Sequence, residues 1–159
     1  MPILSRLASD VQLMFRRPPR QQYAALCYRM TNDNRVEILL QTSRDTGRWV
    51  IPKGWPMADK GPHEVAAQEA YEEAGVRGKV DKTSIGCFLY RKGMKDGFTV
   101  DCKVQVYALE VTEIAKKFKE KGERRAEWVS CQEAANRVQE PMLKLLILGF
   151  ETELRQRKP

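Results

Sequence analysis

The amino-acid sequence predicts an α/β (α+β) fold, a mixed β-sheet covered on its faces by helices. Three observations lead to it. Short apolar runs of strand length recur along the chain, turn residues separate them, and one helical segment interrupts them before helical spacing returns near the end. With 159 residues and 42% hydrophobic content, the chain has the length and apolar supply of one domain.

Residues Ile3, Leu4, Leu7, Val11, Met14 and Phe15 fall at helical spacing ahead of Arg16-Arg17-Pro18-Pro19-Arg20. This predicts an N-terminal helix and basic linker over residues 1–20 and the main domain over residues 21–159. Tyr23 to Tyr28 and Val36 to Gln41 read as an antiparallel hairpin around the turn residues Thr31-Asn32-Asp33-Asn34. A short strand at Trp49-Val50-Ile51 runs into Pro52-Lys53-Gly54. Gly61, Pro62 and Glu64 mark a helix start and Gly75 its stop. Strands follow near Ser84 to Tyr90 and from Phe98 to Val111, then a charged loop from Lys116 to Arg125 and a short strand at Glu127-Trp128-Val129. Ser130-Cys131-Gln132-Glu133 has the form of a capping box before a short helix, and Pro141 opens a longer amphipathic one from Met142 to Leu154.

The net charge of +7 favours an anionic partner, although much of the excess lies at the two ends, where solvated flanks account for it. No apolar run is long enough to cross a bilayer, and the first residues lack the apolar core of a secretory signal. Cys27, Cys87, Cys102 and Cys131 form no C-x-x-C pair and read as reduced, buried thiols of a cytoplasmic protein. His63 reads as an exposed residue of a helix first turn, and Trp49 and Trp128 as core or rim groups.

Chemistry concentrates on the central helix. Glu69, Glu72 and Glu73 stand at i, i+3 and i+4, on one face, with no Lys or Arg within the helix three or four residues from any of them. Each like-charged pair destabilises the helix by about 0.2–0.5 kcal/mol, a sign that a divalent cation reverses. Magnesium and manganese select such hard oxygen ligands. The opposite face carries Val65, Ala66, Ala67, Ala70, Tyr71 and Ala74, small groups that let the helix lie close to a sheet.

Gly54, Glu69, Glu72, Glu73, Gly75 and Val76 stand in register with six of the nine fixed positions of the Nudix box, G-x5-E-x7-R-E-U-x-E-E-x-G-U, where U is a bulky aliphatic residue. Flanking segments, Arg48-Trp49-Val50-Ile51-Pro52-Lys53-Gly54 and Arg124-Arg125-Ala126-Glu127-Trp128, resemble the diphosphoinositol polyphosphate phosphohydrolase branch of that superfamily. The resemblance implies a Nudix-type α/β/α sandwich with a catalytic loop and helix. It also implies Mg2+ or Mn2+ held by Glu69, Glu72, Glu73 and the main-chain carbonyl of Lys53. The base it implies lies either on the helix, pointing to Glu73, or on the later loop, where Glu120, Glu123 and Glu127 are candidates and Glu123 is carried forward. Arg44 and Arg124 align with phosphate contacts of that branch; Arg48 and Lys53 join them as expected substrate-binding groups, with Arg91, Lys92, Lys95 and Lys103 able to line the other side of a cleft.

The chain departs from the box at Lys60, Gln68 and Ala70, and a Lys60–Gln68 hydrogen bond is the expected replacement for the family's Glu–Arg pair. Gln21, Gln22 and Tyr23 occupy first-strand positions that are basic in the diphosphoinositol branch. The leading expectation is a divalent-metal-dependent hydrolase that cleaves a phosphoanhydride in a small-molecule polyphosphate, a diphosphoinositol polyphosphate or a dinucleoside polyphosphate. Alternatives are a hydrolase of ADP-ribose or other nucleoside diphosphate derivatives, and a non-catalytic module that binds nucleotide or RNA. The aromatic and basic residues form no recognisable RNA platform, which speaks against a nucleic-acid partner.

Overall fold

The computed structural model describes residues 18–157. The N-terminal helix expected ahead of the first strand falls on residues 1–17 and lies outside them. The described elements are β1 (Arg20–Met30), β2 (Val36–Thr42), β3 (Trp49–Val50), β4 (Lys53–Gly54), α1 (Pro62–Ala74), β5 (Val76–Val80), β6 (Gly86–Gly93), β7 (Thr99–Ile114), β8 (Ala126–Ser130), α2 (Cys131–Arg137) and α3 (Pro141–Arg157).

All the strands join one mixed sheet. Its spine runs β3-β2-β1-β7-β5, with β8 on β2, β4 on β1 and β6 on β7. β1 and β7 are parallel from Arg20 opposite Cys102 to Tyr28 opposite Glu110. The other pairings are antiparallel, including the expected β1–β2 hairpin. β1 shares its second edge, pairing with β2 at Tyr28–Met30 and with β4 at Tyr23–Ala24. That division lets the Pro52–Gly54 segment enter the sheet beside its centre.

Alternation along the central strands builds two cores. Ala24, Leu26, Ile38, Leu40, Val104 and Val106 pack with Ala134, Leu143, Ile147 and Phe150 of α2 and α3. Ala25, Cys27, Leu39, Tyr107 and Leu109 pack with Ala66 and Ala70 of α1. Strands buried on both faces explain the continuous apolar runs of the sequence, and each fully buried Leu or Ile contributes about 1.5–3 kcal/mol. The cysteines are free thiols; burial pushes Cys27 and Cys131 up to about 12, so they behave as small apolar groups.

β4 and β5 are additional to the elements expected from sequence. The segment Val76-Arg77-Gly78-Lys79-Val80 carries two charges and a glycine, and its three middle residues are exposed, so no apolar pattern announces the strand. Gly78 sits at a register shift against β7, where a Cβ would come within 1.7 Å of the Glu110 carbonyl oxygen.

α1 begins and ends at the predicted residues. Pro62 opens it, the Glu64 side chain accepts from the Gly61 backbone N–H at 2.9 Å, and Gly75 at φ +70 closes it. The charged loop after β7 is tied to this end: Ala115 N–H donates to the Gly75 carbonyl at 2.7 Å and Glu120 N–H to the Glu72 carbonyl at 2.9 Å. A Cβ on Gly75 would lie 2.3 Å from the Phe118 ring. Gly75→Ala is therefore expected to lower stability by about 2–3 kcal/mol in urea unfolding. Gly47→Ala, at φ +72 with open space around it, should lose only about 1 kcal/mol; equal losses would show that the Phe118 contact is unimportant.

Candidate active site

The acidic face of α1 borders a cleft of about 220 Å³ lined by Gln22, Arg44, Lys53, Glu69, Glu73 and Glu120, among others. Gly54 allows the approach of loop and helix, since a Cβ there would stand 2.3 Å from the Glu69 carboxyl group. Burial, then the hydrogen bond and charge of Glu73, then the charges of Glu72 and Glu120 push Glu69 up to about 8. Glu73 is 7% exposed and accepts a 2.5 Å hydrogen bond from Gln41 Nε2 of β2.

Glu72 is turned differently. It accepts from Gln68 Nε2 at 3.0 Å, and Lys119 Nζ stands 3.9 Å from its other oxygen. The expected Lys60–Gln68 contact is not formed. Gln68 lies one helical turn from Glu72 and spends its amide there, while Lys60, ahead of the helix cap, is exposed and without a side-chain partner among the described residues. As the side chains stand, no three carboxylates among the described residues close around one point. Their chemistry nonetheless fits a divalent cation: the donors are hard oxygens, and Glu69 and Glu73 line one cleft with Glu120.

The three loop candidates separate in space. Glu120 lines the cleft with its side chain 12% exposed, and Arg124 Nη2 bridges it at 3.2 Å to Glu73 at 3.4 Å. Glu123 lies at the rim, 3.4 Å from Arg44 Nη1, which stands equally far from Glu120. Glu127 faces away and pairs with Arg137 at 2.6 Å. Arg124 also donates to the Thr42 carbonyl at 3.1 Å, so its guanidinium orders carboxylates and backbone as well as lining the cleft.

A second chamber of about 320 Å³ shares Ser43, Asp45, Val50, Lys53, Tyr90 and Lys92 with the first and adds Arg48, Arg91 and Lys95. Arg48 is held from behind by Gln139 at 3.1 Å and by the buried Glu140 at 3.6 Å. Lys53 Nζ lies 4.9 Å over the Tyr90 ring, and burial draws its pKa down. Lys103 lines neither chamber. Trp49 and Trp128 stack against Arg125, Arg137 and Arg29, and His63 approaches Tyr107, all away from the cleft lining.

Three lining or supporting residues, Trp55, Tyr90 and Gln41, escaped the sequence reading. Trp55 stands at the mouth, 36% exposed, and Tyr90 donates to Gln22 Oε1 at 2.7 Å. Gln41 carried the one available signal, a polar side chain at the end of an apolar strand.

The NUDIX domain model matches residues 20–147. The chain is 31% identical over 117 residues to the human protein diphosphoinositol polyphosphate phosphohydrolase 3-beta, covering 72% of this chain and 66% of that one, just under two thirds of the relative's length. The crystal structure of C. elegans Ap4A hydrolase is similar in fold, with a TM-score of 0.61, 16% identity and coverage of 86% of this chain and 99% of that one. The NUDIX domain of Shewanella oneidensis NrtR, solved with ADP ribose, has the same TM-score of 0.61 at 12% identity, covering 92% and 97% of the two chains. A sheet between one helix and a helical pair, a glycine loop against Glu69, and a family match over most of the chain converge: the protein belongs to the Nudix family.

Proposed function

We propose that this protein is a divalent-metal-dependent pyrophosphohydrolase of small molecules bearing several phosphates, with a diphosphoinositol polyphosphate as the favoured substrate. The observation that carries this reading is a cleft in which Glu69, Glu73 and Glu120 stand among Arg44, Lys53, Lys92 and Arg124, with an adjoining chamber that shares Lys53 and Lys92 and adds Arg48, Arg91 and Lys95. A substrate with phosphates on both sides of its scissile bond fits that charge pattern. The identity with the human phosphohydrolase supports it.

Glu69, Glu72, Glu73 and the main-chain carbonyl of Lys53 are the donor set for Mg2+ or Mn2+. When bound, the cation supplies Lewis-acid polarisation of the phosphoanhydride and a water of lowered pKa. Arg44, Lys53 and Arg124 orient the phosphates beside the acidic helix, and Arg48 with Lys92 and Lys95 holds the distal ones. Water oxygen bonds to phosphorus, the bridging P–O bond breaks, and the bridging oxygen leaves with the other phosphate half. The water proton passes to a carboxylate. Glu120, in the cleft beside Glu69 and Glu73, is better situated for it than Glu123 at the rim.

A dinucleoside polyphosphate is the second reading, favoured by the exposed face of Trp55 at the cleft mouth, where a base can stack. A panel of diphosphoinositol polyphosphate, diadenosine polyphosphate and ADP-ribose, assayed with Mg2+ and Mn2+ and with both products identified, separates these readings. Absence of turnover on every substrate would leave a binding module.

Glu73→Gln is expected to lower turnover at least ~100-fold with circular dichroism unchanged; unaltered turnover refutes the assignment. Gly54→Ala should displace the Glu69 carboxylate and cut turnover ~10-fold or more at near-native melting temperature; native kinetics would show that the loop yields instead. Lys92→Ala with Lys95→Ala should raise KM about tenfold for diphosphoinositol polyphosphate and far less for ADP-ribose. Equal increases on both would remove the second chamber from substrate binding.

A further inference from the structure

Gln41 is 1% exposed and belongs to β2, whose other buried side chains are apolar. It is locked between two neighbours, opposite Val50 of β3 and Ala126 of β8, and shares with Leu39 the sheet face that α1 covers. Its Nε2 donates to Glu73 Oε1 at 2.5 Å, while its own Oε1 has no hydrogen-bond partner. Packing does not call for such a group, because an apolar side chain of similar size fills the same space without an unpaired oxygen.

We infer that Gln41 is a positioning residue for Glu73, fixing one carboxylate oxygen so that the group presents a single orientation to a divalent cation in the cleft. This rests on the metal-dependent reading above. Arg124 Nη2 stands 3.4 Å from the same Oε1, so a strand donor and a loop donor converge on one oxygen. Rotation of the carboxylate breaks both contacts. A neutral amide suits this place because Arg124 already stands at that oxygen, and a second cation there would compete further with the incoming metal. The amide orients the carboxylate without adding a second positive charge beside it.

The test uses Gln41→Met, which keeps the volume and removes the donor, with Gln41→Leu as a second variant. Mn2+ binding is measured by calorimetry, and melting is measured without metal. The expected result is a Kd for Mn2+ weakened about tenfold, a metal-free melting temperature near that of the unaltered protein, and turnover that recovers substantially at saturating Mn2+. A Kd within twofold of the unaltered protein in both variants overturns the inference while leaving the metal-dependent reading intact. Failure of both variants to fold also overturns it, since Gln41 would then be needed for the fold itself. If the unaltered protein binds no Mn2+, the metal-dependent reading and this inference fall together.

Discussion

The attachment of the loop after β7 to the C-terminal end of α1 is the constraint on which the cleft depends. A helix ends with carbonyls that lack partners within it, and here Glu72 and Gly75 receive theirs from Glu120 and Ala115 of that loop. The left-handed Gly75 turns the chain out of the helix and leaves room for Phe118. Glu120 and Arg124 are thereby carried onto the acidic face from a distant part of the sequence. Arg124 then ties the loop back to β2 through the Thr42 carbonyl.

Charge balance follows from that closure. The helix alone would assemble repelling carboxylates, but Lys119 stands beside Glu72 and Arg124 beside Glu73. Among the described residues no cation is paired with Glu69, and burial first, then its acidic neighbours Glu73, Glu72 and Glu120, push it up to about 8. Around these carboxylates lie Arg44, Arg48, Lys53, Lys92 and Lys95, the positive charges that the proposed polyphosphate substrate calls for. The C-terminal charges behave differently: Arg155 and Arg157 are paired with Glu151 and Glu153 one turn earlier on α3.

Among the described residues, buried side-chain polar atoms that lack a hydrogen-bond partner lie at the cleft and immediately behind it. They are Gln41 Oε1, Arg124 Nε and Glu140 Oε2, which belong respectively to the support of Glu73, the bridge between two carboxylates and the backing of Arg48. An ordinary core avoids such groups because each typically costs about 1–3 kcal/mol.

The sequence by itself determined the fold class, the hairpin, the limits of the acidic helix and the carboxylate spacing, because each follows from local periodicity, caps and turn residues. It also contained the box from Gly54 to Val76 that identifies the family. It missed β5, whose exposed charges conceal a strand completed only by pairing with β7, and it paired Lys60 with Gln68 where one helical turn joins Gln68 to Glu72. It could not rank Glu120, Glu123 and Glu127, nor connect Gln41 to Glu73 across 32 residues. Those relations belong to tertiary structure because they depend on which strand edge, helix end and loop meet in space, and charge or hydrogen bonding then acts across the gap that the fold has closed.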